Sequence, residues 1–295
     1  MRRLVRSALL FAALLPATPA IAQEDPDSPS SEIVVTGTRV REEQVRDFVK
    51  ALTPAPSGSI PRFIDAVCPT VSGLVPAQKE AVTARLRAVA ASAGIPVGPL
   101  GCTPNMFVIA TPDKRAFIEL LSKRRAYSFG LMTAREIRRL ARSPGPAAAW
   151  QLEGPVDSNG IPLPFDEDIG AYVNPTTDAA SRITTLGGRG FDAAALVVET
   201  GALSGLTTVQ LADYASMRLL AKLDPARLPT GAPSTILTAL TTPMGSLVSN
   251  TMTTWDLGLL RGLYASSKDL KPSQQRSQIA GRVVRDLAGG KPNGN

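Results

Sequence analysis

Candidate catalytic chemistry in this 295-residue chain is limited by the complete absence of histidine. Without an imidazole, Ser-His-Asp and Cys-His catalysis, H-E-x-x-H zinc sites and histidine general bases are excluded. The remaining acidic candidates are Glu199, at the end of a predicted strand, and Asp213, in the predicted helix that follows. Two carboxylates can divide acid–base work in a hydrolase when their environments separate their pKa values. The alternative is a structural role for each, with Asp213 pairing locally with Arg218.

The sulfur chemistry is limited to two cysteines, Cys68 and Cys102. Two cysteines without histidine do not make a plausible zinc site, and we expect neither a metal nor another cofactor. In an oxidising compartment an isolated pair forms a disulfide, which here would stabilise the fold by about 3–4 kcal/mol through restriction of the unfolded chain. Two free buried thiols are the alternative if the protein is not exported.

The first 22 residues have the features of a secretory signal peptide. Three arginines precede an apolar run over residues 8–15, and Ala20-Ile-Ala22 supplies a small-x-small cleavage pattern. Pro16 and Pro19 interrupt the apolar run before it reaches the ~20 residues that a transmembrane helix needs. We therefore expect a periplasmic or secreted protein after cleavage near Ala22. Removal of the three arginines lowers the formal net charge from +7 to +4.

Residues 23–43 are a predicted disordered leader that contains one apolar, strand-like segment. The segment consists of Glu32, Ile33, Val34, Val35, Thr36, Gly37, Thr38 and Arg39. It resembles the TonB box near the mature N-terminus of TonB-dependent outer-membrane receptors, which implies that it adds a strand to the sheet edge of an envelope protein. A tether or a short edge strand is the alternative, because the remaining chain is too helical for a receptor barrel.

The rest of the chain predicts an α+β fold with a small mixed sheet and several amphipathic helices. We divide it at Ser143-Pro-Gly-Pro146 into modules 44–143 and 147–288, with a disordered tail at 289–295. Capping boxes, in which a Thr and a Glu or Gln three residues later satisfy free backbone donors, are predicted at Thr133 and Thr207. Strands are expected at residues 106–111, 147–153 and 193–200, a hairpin between 181–185 and 193–200, and a helical turn within 60–68.

A strand–turn–helix segment at 191–223 is followed by Ser234-Thr-Ile-Leu237 and by a Thr253-capped helix over residues 255–265. This order resembles the C-terminal half of metzincin-type zincin metallopeptidases, whose zinc-binding helix precedes a methionine-containing turn and a second helix. The H-E-x-x-H register falls on residues 212–216, so Ala212 and Ser216 replace the histidines and Asp213 replaces the glutamate. Since neither alanine nor serine ligates zinc, the resemblance implies a scaffold without metal and without peptidase activity. The whole chain also resembles a family of secreted alphaproteobacterial proteins to which no activity is assigned.

Glu199-Thr-Gly-Ala202 resembles the Asp-Thr-Gly-Ala loop of retroviral-type aspartic proteases, with Glu in place of Asp. That chemistry requires a second carboxylate at close range, which a dimer could supply. A structural turn acid is the alternative. The acidic run Asp166-Glu-Asp168 lacks the ligand spacing of a calcium loop and is expected to be a solvated loop.

Basic residues are concentrated between 114 and 142, where nine Lys or Arg face two acids, Glu119 and Glu136. One side of a predicted helix carries Arg135, Arg138, Arg139 and Arg142. In an exported protein this side could contact an anionic membrane surface, and an ordinary solvated helix face is the alternative. Nucleic acid is not expected as a partner, because aromatic residues make up only 5% of the chain and leave few platforms for stacked bases.

These observations favour an exported, non-catalytic binding or envelope-associated protein on a zinc-less metallopeptidase-like scaffold. One alternative is a carboxylate-dependent hydrolase that uses Glu199 and Asp213. Another is an envelope adaptor that interacts with TonB through residues 32–39.

Overall fold

The structure, a computed structural model, describes residues 42–54, 58–175, 187–242 and 248–289. The predicted signal peptide, the TonB-box-like segment 32–39 and residues 290–295 of the tail lie outside this part of the chain. The described residues belong to one compact unit. No helix within it has the length and apolar character needed to cross a bilayer.

Helices form where apolar residues recur at helical spacing and where a side chain satisfies the free N–H groups of the first turn. The predicted capping boxes at Thr133 and Thr207 are confirmed, and Thr253 forms a third with Asp256. The α-helices of the described ranges are α1 (Glu42–Leu52), α2 (Pro76–Ser92), α3 (Lys114–Arg124), α4 (Ala134–Ala141), α5 (Thr208–Leu220), α6 (Thr254–Ala265) and α7 (Pro272–Gly289). Short 3-10 helices occupy Ala126–Phe129, Thr200–Leu203, Pro225–Arg227 and Ile236–Thr238.

The strands form a mixed four-stranded sheet and a separate small hairpin. They are β1 (Pro69–Ser72), β2 (Met106–Thr111), β3 (Ala147–Asp157), β4 (Phe165–Asp166), β5 (Ala171–Tyr172) and β6 (Gly187–Glu199). The main sheet has the order β1-β2-β6-β3, in which β1, β2 and β6 are parallel and β3 is antiparallel to β6. The predicted α+β class with a mixed sheet is confirmed, and the sheet combines strands from both predicted modules.

Alternate residues of the central strands face opposite sides of the sheet, as the two-residue period of a strand requires. On one side Met106, Val108 and Leu196 enter a large core shared with α1, α2, α5, α6 and α7. On the other side Val197 and Trp150 enter a smaller core beneath α3, the 3-10 helix Ala126–Phe129 and α4. The protein is therefore a three-layer arrangement whose two helical layers differ greatly in size.

The predicted hairpin turn at residues 186–190 is wrong. Gly187, Gly188 and Gly190 lie within β6, whose antiparallel partner is β3, and residues 181–185 lie outside the described ranges. A Cβ atom at these glycines would collide with Val156, Ser59 and Ile64, respectively. The glycines therefore permit close packing along a strand and do not mark a turn.

The helical turn expected within residues 60–68 is also wrong. Ile60, Phe63 and Val67 are buried at a spacing that imitates a helix. The backbone is instead extended: Phe63 forms a parallel bridge with Phe191, and Val67 forms one with Val97. Backbone N–H and C=O groups of residues 60–68 are thus hydrogen-bonded to segments that are distant in the sequence.

The predicted disulfide between Cys68 and Cys102 is present, and it spans 34 residues. Cys68 directly precedes β1, and Cys102 lies in the loop between α2 and β2. Asn105 supports the same junction, because its side chain accepts a hydrogen bond from Cys68 N (2.7 Å) and donates one to Ala66 O (3.1 Å). The crossover from β1 through α2 to β2 is therefore covalently closed, as is common in oxidising compartments.

Candidate functional site

Asp213, the first sequence-predicted site residue, is completely buried in α5. Its Oδ1 accepts a hydrogen bond from Arg85 Nε (2.7 Å), and its Oδ2 accepts one from Arg85 Nη2 (2.9 Å). Oδ2 also accepts hydrogen bonds from Thr251 Oγ1 and Met252 N, both at 2.7 Å. The carboxylate therefore fastens α2 and α5 to the segment that leads into α6.

The predicted pairing of Asp213 with Arg218 is wrong. Residues five apart do not face each other on a helix, whereas residues four apart do. Arg218 Nη1 accordingly donates to the Tyr214 hydroxyl (2.6 Å), and its guanidinium lies 5.6 Å from the centre of the Tyr214 ring. Asp213 is paired across 128 residues of sequence instead.

Glu199, the second predicted carboxylate, ends β6 and lies at the start of α3. Its Oε1 accepts a hydrogen bond from the backbone N of Lys114 (3.3 Å). The Lys114 side chain is itself buried and donates to Ser143 O (2.6 Å) and Gly145 O (2.8 Å). These bonds attach the Ser143–Pro146 connection to the carboxyl-terminal ends of the inner strands β2 and β6. Burial lowers the pKa of Lys114, and the charge of Glu199 opposes that shift. Among the described contacts, Glu199 and Asp213 share no hydrogen-bond partner.

The other two positions of the zincin-like register, Ala212 and Ser216, also have no exposed surface. Ser216 Oγ donates to Ala212 O within the same helix (2.8 Å). Within the described part of the chain, no three His, Cys, Asp or Glu side chains are grouped so that they could hold a metal ion. The register therefore lies inside the large core, away from any opening.

An open cleft of about 630 Å³ lies on the opposite side of the sheet, between α3, the 3-10 helix Ala126–Phe129 and α4. Its walls combine the apolar side chains of Met132 and Ile137 with the cations of Lys123 and Arg138 and with one carboxylate, that of Glu119. A volume of this size lies within the ~300–1,000 Å³ range of small-molecule sites. The cleft therefore has the size and mixed lining of a binding site for an amphiphilic anion.

The cleft is part of what we call the basic surface, seven exposed cationic side chains on α3, on α4 with its C-cap, and on the connection between the two helices; two of them, Lys123 and Arg138, line the cleft. The seven are Lys123, Arg124, Arg125, Arg135, Arg138, Arg139 and Arg142. Both acids of this region are engaged elsewhere: Glu119 pairs with Arg115 (2.9 Å), and Glu136 closes the α4 capping box. Within the described residues, none of the seven cations forms an ion pair with a carboxylate. Arg125 Nη1 donates to the Tyr127 hydroxyl (3.2 Å), and the charge of Arg139 helps to lower the pKa of Glu136; the other five side chains are exposed to solvent or to a partner.

Two large apolar side chains stand exposed beside the cleft. Tyr127 is 70% exposed and Leu131 is 67% exposed. The Tyr127 hydroxyl accepts a hydrogen bond from Arg125 Nη1 (3.2 Å), and Phe129, two residues further along the chain, is buried and stacks on Trp150 with ring centres 5.0 Å apart. Trp150 Nε1 in turn donates to Ser128 O (2.8 Å). Anchoring the 3-10 helix through Phe129 leaves Tyr127 projecting outward.

The turn from the 3-10 helix into α4 depends on Gly130, whose φ of 56° and ψ of −128° fall in a region that residues with a side chain avoid. Thr133 then starts α4, and the Glu136 carboxylate accepts hydrogen bonds from Thr133 N and Oγ1, both at 2.7 Å. These bonds hold the pKa of Glu136 below its ordinary value. The capping box thereby fixes the first turn of a helix that carries three of the seven cations and has a fourth, Arg142, as its C-cap.

The sequence predicted the cationic side of α4, and the structure shows all four predicted arginines exposed. It did not single out Lys123 or Tyr127, because neither belongs to a recognisable motif. The signal that could have identified them is the Lys-Arg-Arg run at 123–125, which is followed by Tyr127, Phe129 and Gly130 at alternate and then adjacent positions.

Comparison with protein-family models, with curated proteins and with solved structures finds no match. The function must therefore be inferred from the chemistry of the basic surface and its cleft.

Proposed function

We propose that the protein is exported, has no catalytic activity, and binds anionic lipid surfaces through the basic surface and the cleft within it. The observation that carries the proposal is the coincidence, on one side of the molecule, of seven unpaired cations with the exposed Tyr127 and Leu131. Support for export comes from the signal-peptide pattern in residues 1–22 and from the Cys68–Cys102 disulfide.

The charges supply the long-range attraction. A Lys or Arg side chain close to an anionic leaflet contributes about 1 kcal/mol, and the attraction falls off within a Debye length. Because these cations have no carboxylate partners in the described residues, they need not break an ion pair to reach a phosphate group. Binding is therefore expected to be reversible and to weaken as salt is added.

The exposed side chains of Tyr127 and Leu131 supply the short-range, apolar part of the attraction to the membrane. A tyrosine ring is stable at the level of lipid headgroups, where its ring meets apolar chains and its hydroxyl stays hydrated. Leu131 lies four residues away and is similarly free to enter the interface. Behind both, the apolar walls of the cleft offer room for part of a lipid, with Lys123 and Arg138 placed to neutralise its phosphate.

The test is co-sedimentation of the mature protein with vesicles of phosphatidylglycerol and phosphatidylcholine, with pure phosphatidylcholine as the reference. Replacing two cations of the cleft, Lys123→Gln with Arg138→Gln, should weaken partition onto the anionic vesicles about 30-fold, at about 1 kcal/mol for each charge. The matched control is Lys50→Gln with Lys79→Gln, which makes the same change in net charge at exposed sites on α1 and α2.

The control should change partition by less than about threefold, because α1 and α2 pack on the other side of the sheet. Equal losses in the two double variants would show that net charge alone drives adsorption and would contradict a defined site. Equal binding to both kinds of vesicle would refute the lipid proposal.

The two alternatives remain predictions. A TonB-coupled adaptor depends on residues 32–39, and loss of partner capture when they are deleted is the required result.

A carboxylate-dependent hydrolase would need Asp213 to reach a substrate, and its oxygens are occupied by Arg85, Thr251 and Met252. Turnover that disappears in an Asp213→Asn, Glu199→Gln double variant is the observation that would favour it.

A further inference from the structure

A second exposed feature has the opposite charge. It consists of residues 161–172, which contain β4 and β5, and we call it the acidic hairpin. The four large apolar side chains Ile161, Phe165, Ile169 and Tyr172 are between 49% and 66% exposed. Residues 161–172 contain Asp166, Glu167 and Asp168 but no Lys or Arg. An exposed apolar group that is rimmed by charge is characteristic of an interaction site.

The acidic hairpin is held in a defined shape by local contacts. Asp166 Oδ1 accepts a hydrogen bond from Asp168 N (2.9 Å), which forms the turn between the strands. The rings of Phe165 and Tyr172 meet edge to face across the two strands, with centres 5.2 Å apart. Pro162 pairs with Val156 and thereby attaches the hairpin to the end of β3. The sequence thus builds a short projection with a paired aromatic end.

We propose that the acidic hairpin of one copy binds the basic surface of a second copy, with Phe165 and Tyr172 entering the cleft. The acidic hairpin and the basic surface are complementary in charge, and both carry exposed apolar groups. One carries acids around exposed aromatic side chains, and the other carries cations around an apolar cleft beside Tyr127 and Leu131. Opposite charge on two surfaces of one chain selects a second copy without requiring another partner.

The contact joins two different surfaces, so it is head to tail. Such a contact produces a ring if the rotation closes and an open chain if it does not. The hairpin and an anionic membrane would compete for the same basic surface, so self-association and vesicle binding are expected to exclude each other. The inference does not rest on the lipid proposal, because self-association is measured in the absence of lipid.

The experiment is sedimentation velocity of the mature protein over a range of concentrations in about 50 mM salt, where the Debye length exceeds 10 Å. We expect concentration-dependent association of the wild-type protein. Reversing the hairpin charge with Glu167→Lys and Asp168→Lys should weaken association at least about tenfold, as should Lys123→Glu with Arg138→Glu in the cleft. Asp166 is left unchanged because it forms the turn.

Mixing the two charge-reversed variants is the decisive step. Each variant has one altered surface, whereas in the mixture the unchanged basic surface of the hairpin variant can meet the unchanged acidic hairpin of the cleft variant, so association should return. The matched control is Asp47→Lys with Glu80→Lys, which makes the same charge change as the hairpin variant at exposed sites on α1 and α2 and should associate like wild type.

A wild-type protein that stays monomeric, a hairpin variant that associates as strongly as wild type, or a mixture that fails to recover would each overturn the proposal. If the mixture recovers but the protein does not bind anionic vesicles, the self-association stands and the lipid proposal fails. Circular dichroism of each variant confirms that the exposed substitutions leave the fold intact.

Discussion

The hydrogen-bonded pair of Arg85 and Asp213 allows a prediction about stability. We expect Arg85→Ala to lower the free energy of unfolding more than Asp213→Asn does, and this order is more informative than either loss alone. Asp213 has no exposed surface, whereas the Arg85 side chain is 36% exposed. Replacement of Arg85 by Ala leaves a buried carboxylate with only Thr251 Oγ1 and Met252 N as donors. Removing one partner of a buried ion pair costs about 3–5 kcal/mol, so we expect a loss of about 4 kcal/mol in the free energy of unfolding.

Replacement of Asp213 by Asn should cost less. The Asn side chain keeps an oxygen that can accept a hydrogen bond from Met252 N, and Arg85 can turn its exposed end toward water. The loss is then limited to the charge-assisted part of the contact, about 2 kcal/mol. The double variant should cost less than the sum of the two, with a coupling of at least about 1 kcal/mol.

The assay is urea unfolding at neutral pH, followed by the fluorescence of Trp150 and Trp255, with equal slopes required before free energies are compared. Lys79→Ala is the control, because Lys79 is exposed on the same helix and forms no ion pair in the described structure; its effect should stay within about 0.5 kcal/mol. A larger loss for Asp213→Asn than for Arg85→Ala would refute the reasoning from burial. An Arg85→Ala variant as stable as the control would show that the pair contributes nothing.

Two further predictions concern the disulfide and the α4 capping box. Replacing Cys68 and Cys102 together by Ser should lower the free energy of unfolding by about 4 kcal/mol, because the bond closes a loop of 34 residues, and a reductant should then have no further effect on the urea midpoint. Thr133 lowers the pKa of Glu136, so the charged capping box contributes its full stability above the unfolded value of ~4.3 and loses it as pH falls through the lower folded value. Glu136→Gln should therefore reduce the melting temperature at about pH 6, and the difference should shrink as the pH falls below ~4.3; a difference that does not shrink in acid would contradict this explanation.

Features fixed by a few neighbouring residues could be predicted from the sequence. The capping boxes at Thr133 and Thr207 require only two side chains three residues apart, and both helices begin where these pairs indicate. The strand at Met106–Thr111 was likewise marked by a short apolar run. The disulfide was predictable because only one pairing of two cysteines exists.

Features that depend on distant segments were not predictable. A helical turn was expected within residues 60–68, but Phe63 and Val67 there form bridges with Phe191 and Val97. The glycines of β6 suggested a turn, but they accommodate Val156, Ser59 and Ile64. Asp213 found its partner on α2, which no local rule could identify.

The candidate site was predicted in part for the same reason. The arginines of α4 share one side of a helix, and that periodicity is visible in the sequence. The cleft beside them is not, because its lining comes from α3, the 3-10 helix and α4, and the 3-10 helix is placed by the stacking of Phe129 on Trp150, a contact between residues 21 positions apart. The position of Tyr127 at its rim follows from that contact.

The helical layers on the two sides of the sheet differ in size, and this difference should affect where the protein unfolds locally. Elements with fewer buried apolar contacts unfold locally at lower free energy than the whole domain. The layer of α3 and α4 is therefore expected to exchange its amide hydrogens before the disulfide-closed layer of α2 and α5. Local opening of this thin layer would widen the cleft while the rest of the molecule stays folded, so the side for which we propose membrane binding is also the part of the protein that can adapt to a ligand.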